Sequence, residues 1–140
     1  MPTVFITGAN RGLGLEFAKQ YLSAGWEVIA TCRNPEKSAN LANLNGNIRI
    51  YELDVTNFDA IEKIAKKLSS DKIDVLLNNA GILGPKKSDF GEISVEDWED
   101  VFRVNTQAPL RIVENFIENI ANSDRKTIVS ISSLLGSIGS

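Results

Sequence analysis

The sequence contains no histidine, and Cys32 is the only cysteine among its 140 residues. A lone thiol cannot form a disulfide within the chain. Without histidine, the common Cys/His zinc sites and every histidine-based catalytic triad are excluded. We therefore expect no metal site, and any acid–base chemistry must use other groups.

The sequence also has little excess charge and no long apolar run. Its 15 Lys and Arg against 18 Asp and Glu give a net charge of -3, with no basic block, so a nucleic acid partner is not expected. No apolar run reaches the ~20 residues that a membrane span needs, and Met1-Pro2-Thr3 leads into an apolar run without a charged leader. We predict a cytoplasmic protein with no membrane association.

What the sequence does contain is a regular alternation of short apolar runs and helical periodicities. Apolar runs typical of buried parallel strands occupy residues 3–7, 27–32, 48–53, 73–77 and 127–131. Helical patterns cover residues 12–24, 38–44, 61–68 and 109–122, and Ser94 resembles a helix N-cap. This alternation predicts an α/β fold, a Rossmann-like doubly wound parallel sheet with strand order 3-2-1-4-5.

The composition predicts one domain. With 43% hydrophobic residues, the chain has enough apolar material for a single core over residues 1–140, and no linker composition divides it. It stops just after the fifth predicted strand, in the Gly/Ser-rich segment 136–140. We therefore expect the domain to be truncated at its C-terminal side.

A glycine-rich segment separates the first predicted strand from the first helix. Gly8, Gly12 and Gly14 have the spacing Gly-x-x-x-Gly-x-Gly. A helix N-terminus at this point offers unpaired N–H groups and a positive dipole to a pyrophosphate. Gly8 is expected to form a tight turn, Gly12 to allow close approach of a ligand, and Gly14 to let the helix pack on the strand. An ordinary βα turn is the alternative interpretation.

Further motifs follow the glycine loop in a fixed order. Thr7 to Gly14 reads Thr-Gly-Ala-Asn-Arg-Gly-Leu-Gly, and it is followed by Asp54-Val55, Asn78-Asn79-Ala80-Gly81, Asn105 and Ile131-Ser132-Ser133. This order resembles the short-chain dehydrogenase/reductase family over the whole chain, which corresponds to a little over half of a typical member. The runs 31–37 and 132–136 most resemble the C-factor and sniffer carbonyl-reductase branch.

The cofactor expected from the pattern is NADP(H). The end of the second strand, where NAD enzymes place an acid ~20 residues past the glycines, holds Thr31, Cys32 and Arg33. Arg11 and Arg33 are placed to clamp a 2′-phosphate together. Without Arg11, a solvated loop cation would be the favoured interpretation of Arg33. The expected cofactor-binding residues are Gly8, Asn10, Arg11, Gly12, Leu13, Gly14, Arg33, Asp54, Val55, Asn79, Ala80 and Gly81.

The resemblance also implies roles for the later motifs. The Asp54 carboxylate would accept a hydrogen bond from the adenine amino group, and Val55 would lend its backbone amide. Asn78, the first asparagine of its motif, would tie neighbouring strands together, and the Ala80–Gly81 backbone would pack beside the adenosine ribose. Without the motif, Asp54 would be an ordinary turn aspartate.

The chemistry implied by the resemblance is hydride transfer between a small-molecule carbonyl and its alcohol, with a tyrosine, a lysine, a serine and an asparagine. Ser133 matches the serine, with Ser132 as the close alternative, and Asn105 matches the asparagine. A buried helix asparagine with satisfied hydrogen bonds is the other interpretation of Asn105. The Tyr-x-x-x-Lys pair is expected beyond Ser140, so the chain as given is expected to be inactive. A non-catalytic dinucleotide-binding signalling protein of C-factor type is the alternative.

The helix predicted over residues 109–122 has more apolar surface than one sheet covers. About half of its circumference is apolar, against a stripe of ~100° for packing on one sheet; the residues are Leu110, Ile112, Val113, Phe116, Ile117, Ile120 and Ala121. Strand five is expected to be an unpaired edge. We predict a homo-oligomer formed through this helix or the strand-five edge, with Phe116→Glu as the probe of the helix contact.

Overall fold

A computed structural model describes residues 1–139 and contains a five-stranded parallel sheet. The strands are β1 (Thr3–Ile6), β2 (Glu27–Cys32), β3 (Ile48–Glu52), β4 (Val75–Asn78) and β5 (Thr127–Ser130). Their order is β3-β2-β1-β4-β5, and every neighbouring pair is parallel. The predicted α/β fold and strand order are confirmed. Because parallel strands end at one edge, the segments that follow β1, β4 and β5 share the carboxyl edge of the sheet.

Five α-helices connect the strands: α1 (Gly12–Ser23), α2 (Ala39–Ala42), α3 (Phe58–Lys67), α4 (Val95–Phe102) and α5 (Ala108–Ala121). Gly25, at φ +83°, follows the end of α1 in the left-handed conformation that glycine adopts most easily. The Ser94 side chain accepts a hydrogen bond from the Asp97 backbone amide at 3.1 Å, so the predicted N-cap of α4 is confirmed.

Alternate residues of the strands point into two apolar layers. Phe5, Ile29 and Leu76 pack with α3 and α5 on one face. The other face, which α1 and α2 cover, contains among others Val4, Ile6, Val28, Ala30 and Leu77. Such burial on both faces explains why the central strands are nearly continuous apolar runs.

The helical segment after residue 94 differs from the prediction. The sequence pattern indicated a helix that begins at Pro109, whereas the chain is helical from Val95 to Ala121, with a π turn at Arg103–Gln107. The Ala108 amide donates to the Arg103 carbonyl, five residues earlier. Since Pro109 has no N–H, one carbonyl in this turn loses its helical donor. Turns of this kind are rare in proteins, and those that do occur are often found at functional sites.

The apolar surface of α5 is distributed differently from the prediction. Phe116 is fully buried, with its ring centroid 4.5 Å from that of Phe5, so it is the wrong position for a surface probe. Leu110, Ile117 and Ala121 are the exposed members of the set, and the first two are 55% and 45% exposed. β5 lies at one end of the strand order, and most of its residues are exposed.

An ion-pair network lies at the opposite, amino edge of the sheet. The Arg49 guanidinium contacts the carboxylates of Glu27 and Asp71, the latter at 2.6 Å. The hydrogen bond to Asp71 is the main reason that the pKa of Arg49 is raised, so the side chain stays charged. Glu27 is therefore engaged far from the glycine loop. Within residues 1–139, the helices are too short or too polar to cross a bilayer.

Candidate functional site

The glycine loop lies at the carboxyl edge of the sheet, between β1 and α1. Gly8 and Gly12 have φ angles of +64° and +55°, which L side chains rarely adopt. The Ala9 amide donates to the Thr31 carbonyl at 3.0 Å and so fastens the loop to the end of β2. Among residues 1–139, and apart from the adjacent backbone, no atom lies within 4 Å of where a Gly12 Cβ would be, so this position faces open space.

Gly14 lies where α1 crosses closest to the loop. A Cβ there would meet the Gly8 carbonyl oxygen at 2.2 Å and the Asn79 Nδ2 at 2.5 Å, well inside van der Waals contact. The absence of a side chain brings the first turn of α1 down onto the loop. This is the packing that the spacing predicted for the third glycine.

The first turn of α1 presents free backbone N–H groups to the open space beside Gly12. The first intrahelical bond to the cap residue is donated by Leu15 to the Arg11 carbonyl at 3.3 Å, so the amides of residues 12–14 have no helical acceptor. The cap makes no side-chain hydrogen bond, and the first turn contains no acidic residue. Leu13 is 61% exposed beside these amides, and Asn10 is half-buried. The turn therefore suits an anion such as a pyrophosphate.

The Asn78–Gly81 segment is joined to the glycine loop by its second asparagine. The Asn79 Nδ2 donates to the carbonyls of Thr7 and Gly8, both at 3.1 Å. The Asn78 Nδ2 instead donates to the Pro109 carbonyl at 3.3 Å, which joins β4 to α5. The expectation that Asn78 ties the neighbouring strands was wrong, because alternation along β4 directs its side chain toward the α5 layer.

Thr7 has a structural role that the sequence analysis did not assign. Its buried hydroxyl oxygen accepts hydrogen bonds from the backbone amides of Asn79, at 3.1 Å, and Ala80, at 3.0 Å. The sequence signal that could have identified this role is a polar residue at the end of an apolar strand, directly before the glycine loop. The Ala80 backbone is held 3.0 Å from where a Gly8 Cβ would lie.

Asp54 forms a turn just after β3. Its Oδ1 accepts hydrogen bonds from the Thr56 amide at 2.9 Å and the Thr56 hydroxyl at 2.7 Å. This is the turn aspartate considered as its ordinary interpretation. The carboxylate is exposed, and its Oδ2 is without a hydrogen-bond donor among residues 1–139, whereas Val55 packs into the core. The exposed oxygen is available to a ligand.

Asn105 lies in the π turn and is exposed, not buried. Its Oδ1 accepts from the Ile82 amide at 2.9 Å, and its Nδ2 donates to the Ile82 carbonyl at 2.8 Å. Gly81 is close by, since its Cβ would come within 3.3 Å of that Oδ1. Asn105 therefore holds the segment after β4 against the helical turn that lacks a donor.

Ser132 and Ser133 follow β5 at the carboxyl edge and are exposed. The Ser133 Oγ accepts a hydrogen bond from the Leu135 amide at 3.2 Å and caps the short turn Leu134–Gly136. A hydroxyl that accepts one bond in this way still has its own proton to donate. Ser132 Oγ lies nearer to Gly136, at 3.6 Å from a Cβ there.

The two arginines expected to meet a 2′-phosphate are both exposed. Arg11 lines an open cleft of about 510 Å³ together with Gly81–Pro85 and the α4 residues Asp97, Asp100 and Val101. Arg33 follows β2 and does not line this cleft. The structure brings Arg11 beside the segment after β4, whereas Arg33 lies outside the cleft that Arg11 lines.

The two tyrosines lie away from β5 and Ser133, since β3 and β5 are at opposite ends of the strand order. Tyr21 packs edge-on against Trp26, with ring centroids 4.8 Å apart. Tyr51 lies in β3, under the Lys67 ammonium at 5.2 Å. Neither side chain is placed to deliver a proton near Ser133.

Comparison with known proteins identifies relatives that match almost the whole of this chain. The family profile described as short chain dehydrogenase matches residues 2–140. The NADP-dependent 3-hydroxy acid dehydrogenase YdfG of Escherichia coli is 33% identical over 138 residues, or 96% of this chain and 55% of that protein. The 3-oxoacyl-[acyl-carrier-protein] reductase FabG of Buchnera aphidicola is 30% identical, with 98% of this chain and 57% of the relative covered. The chain thus spans about half the length of these curated relatives.

Solved structures agree with this family. A carbonyl reductase from Pseudomonas aeruginosa PAO1 in complex with NADP superposes with a TM-score of 0.88 and 31% identity, over 99% of this chain and 64% of that one. The NADPH-bound carbonyl reductase from chicken fatty liver gives a TM-score of 0.85 and 32% identity, over 99% and 62% of the two chains.

Proposed function

The chain belongs to the short-chain dehydrogenase family, and from that premise we propose that it is the cofactor-binding part of an NADP(H)-dependent oxidoreductase that interconverts a carbonyl and an alcohol. The observation that carries this proposal is the first turn of α1, with free amides, no acid, and close packing on the glycine loop through Gly14. These features fit the pyrophosphate of a dinucleotide.

NADP(H) is favoured over NAD(H) by the charges at the end of β2. Arg33 follows Cys32 where NAD-binding chains place a carboxylate, and the strand's only acid, Glu27, is engaged by Arg49 at the other edge. The relatives YdfG and the P. aeruginosa carbonyl reductase are named for NADP or were solved with it. Arg33 and Arg11 would supply charge-assisted hydrogen bonds to the 2′-phosphate, the latter by turning from its present cleft.

The other cofactor residues are proposed from their positions around the loop. Asp54 would accept from the adenine amino group through its free Oδ2, with the Val55 amide beside it. Asn79 and Ala80 maintain the loop that lines the ribose, and Gly81 continues that wall. Asn10 and Leu13 would border the phosphates, since both lie beside the helix N-terminus.

In the reducing direction the substrate carbon would gain a hydride from bound NADPH, and its oxygen would gain a proton from the tyrosine that the family resemblance implies. Ser133 would donate its remaining hydroxyl proton as a hydrogen bond to the substrate oxygen and so orient it. Asn105 would hold the turn that borders the reacting groups. Because Tyr21 and Tyr51 lie elsewhere, we expect the 140 residues by themselves to bind cofactor without turnover.

The substrate class that we propose is a small carbonyl compound or its alcohol. The relatives named above are a 3-hydroxy acid dehydrogenase, a 3-oxoacyl reductase and carbonyl reductases, whose names share this functional group. The runs 31–37 and 132–136 support placement in the C-factor and sniffer carbonyl-reductase branch.

The test is a titration of NADP and NAD into the wild type, Arg33→Asp and, as control, Lys72→Asp. Lys72 is exposed at the amino edge, so its replacement changes the net charge equally without touching the site. Loss of a charge-assisted bond is worth about 1.5 to 3 kcal/mol, so Arg33→Asp should weaken NADP binding roughly tenfold to a hundredfold. A wild-type preference for NAD, or an equal loss in Lys72→Asp, would refute the assignment.

A further inference from the structure

Arg103, the first residue of the π turn, makes contacts that neither the fold nor the proposed cofactor site accounts for. Its Nε and Nη2 both donate to the Thr56 carbonyl, at 3.1 and 2.8 Å. Its guanidinium carbon lies 4.2 Å from the centroid of the Phe58 ring. Two hydrogen bonds and a cation–π contact together restrain a side chain that is otherwise exposed.

These contacts connect two segments that are distant in sequence. Thr56 lies 47 residues before Arg103, in the turn after β3. The amide and hydroxyl of Thr56 are the two donors to the Asp54 Oδ1. The Arg103 guanidinium therefore orients Thr56, and Thr56 in turn orients the Asp54 carboxylate.

We propose that Arg103 is a positioning residue for the cofactor base, holding the Asp54–Thr56 turn so that the free Oδ2 of Asp54 faces the adenine amino group. This inference rests on the proposed function, since it needs the base to lie beside Asp54. Arg103 touches neither cofactor nor substrate and acts through Thr56. The same residue begins the turn that contains Asn105, so one side chain joins the base-binding turn to the segment beside the reacting groups.

The structure supplies a matched control. Arg111, on α5, also lies near the Phe58 ring, at 5.9 Å, but pairs with Glu114 and makes no hydrogen bond to the turn. Arg111→Gln removes a cation near the same ring and leaves Thr56 bonded as before. Arg103→Gln removes the fork, and Arg103→Lys retains the charge with poorer geometry.

The experiment compares binding of NADP with binding of its hypoxanthine analogue, which lacks the adenine amino group. Wild type should prefer NADP about tenfold, the effect of one hydrogen bond to a charged group. Arg103→Gln should lower that preference about fivefold by weakening NADP binding alone, Arg103→Lys should retain part of it, and Arg111→Gln should retain all of it. Hydrogen exchange without ligand should show the Thr56 and Asn57 amides of Arg103→Gln exchanging about tenfold faster.

Several results would overturn the inference. An unchanged preference in Arg103→Gln, an equal loss in Arg111→Gln, or unaltered exchange at Thr56 would each do so while the cofactor assignment stands. A wild type that binds NADP and the analogue equally would remove the role of Asp54 and this inference with it. A wild type that binds neither compound would refute the proposed function itself, and the inference would fall with it.

Discussion

Replacing Gly14 by alanine compares two opposing effects on stability. One is the higher helix propensity of alanine, and the other is the close packing of α1 on the glycine loop. Gly14 lies inside α1, where alanine is more favourable than glycine by about 1 kcal/mol on propensity alone. On that ground the variant would be more stable. The structure predicts the opposite sign, because the new methyl group would lie 2.2 Å from the Gly8 carbonyl oxygen and 2.9 Å from its carbon.

The expected loss in the free energy of unfolding follows from the backbone segments that the new methyl group must displace. Ordinary contact begins near 3.4 Å, so the first turn of α1 or the loop must shift by about 1 Å, and both are backbone. Overpacking of this kind costs about 1 to 3 kcal/mol, and displacing the Asn79 amide, 2.5 Å from the methyl position, weakens its hydrogen bonds by about another 1 kcal/mol. After the gain in propensity, we expect a net loss of about 2 kcal/mol.

Urea denaturation followed by circular dichroism measures this difference. Gly12→Ala is the control, because it places a methyl group in open space and costs only the left-handed backbone penalty of about 1 to 2 kcal/mol. Gly12→Ala is a control for stability alone, because Gly12 is itself an expected cofactor-binding residue where a methyl group would meet the ligand. A Gly14→Ala protein as stable as the wild type, or more so, would show that the loop yields without cost and would refute the reasoning.

Three other changes have defined outcomes. Phe116→Ala should lower the free energy of unfolding by about 3 to 5 kcal/mol in urea, because the ring is fully buried against Phe5, and a loss below about 1 kcal/mol would contradict that burial. Ser94→Ala should cost about 1 kcal/mol in the same assay by removing the α4 cap, whereas an unchanged midpoint would mean that the cap is replaced. We propose that the chain self-associates through α5, where Ile117 is 45% exposed. Ile117→Glu should then lower the sedimenting mass across a concentration series, and the control Lys72→Asp should not. An oligomer that is unaffected by Ile117→Glu would exclude this face of α5.

The fold and the position of the glycine loop could be predicted from the sequence. Short apolar runs that alternate with helical periods leave few arrangements, because parallel strands require right-handed crossovers and buried faces. The glycine spacing located the turn, the open backbone and the close packing, since each requirement falls on one residue with no side chain. Assignment of the other candidate residues came from motif order and stays a prediction until binding is measured.

Which side chains of those motifs meet could be seen only in the folded chain. A helical wheel shows that α5 has a wide apolar face but not which part touches the sheet, so Phe116 was placed outside although it packs on Phe5. Asn78 and Asn79 are adjacent in sequence, and only the direction of β4 shows that the second one reaches the glycine loop. The contact of Arg103 with Thr56 joins residues 47 positions apart. Local patterns report the period and ends of an element, whereas such contacts depend on the rotation and distance at which separate elements pack.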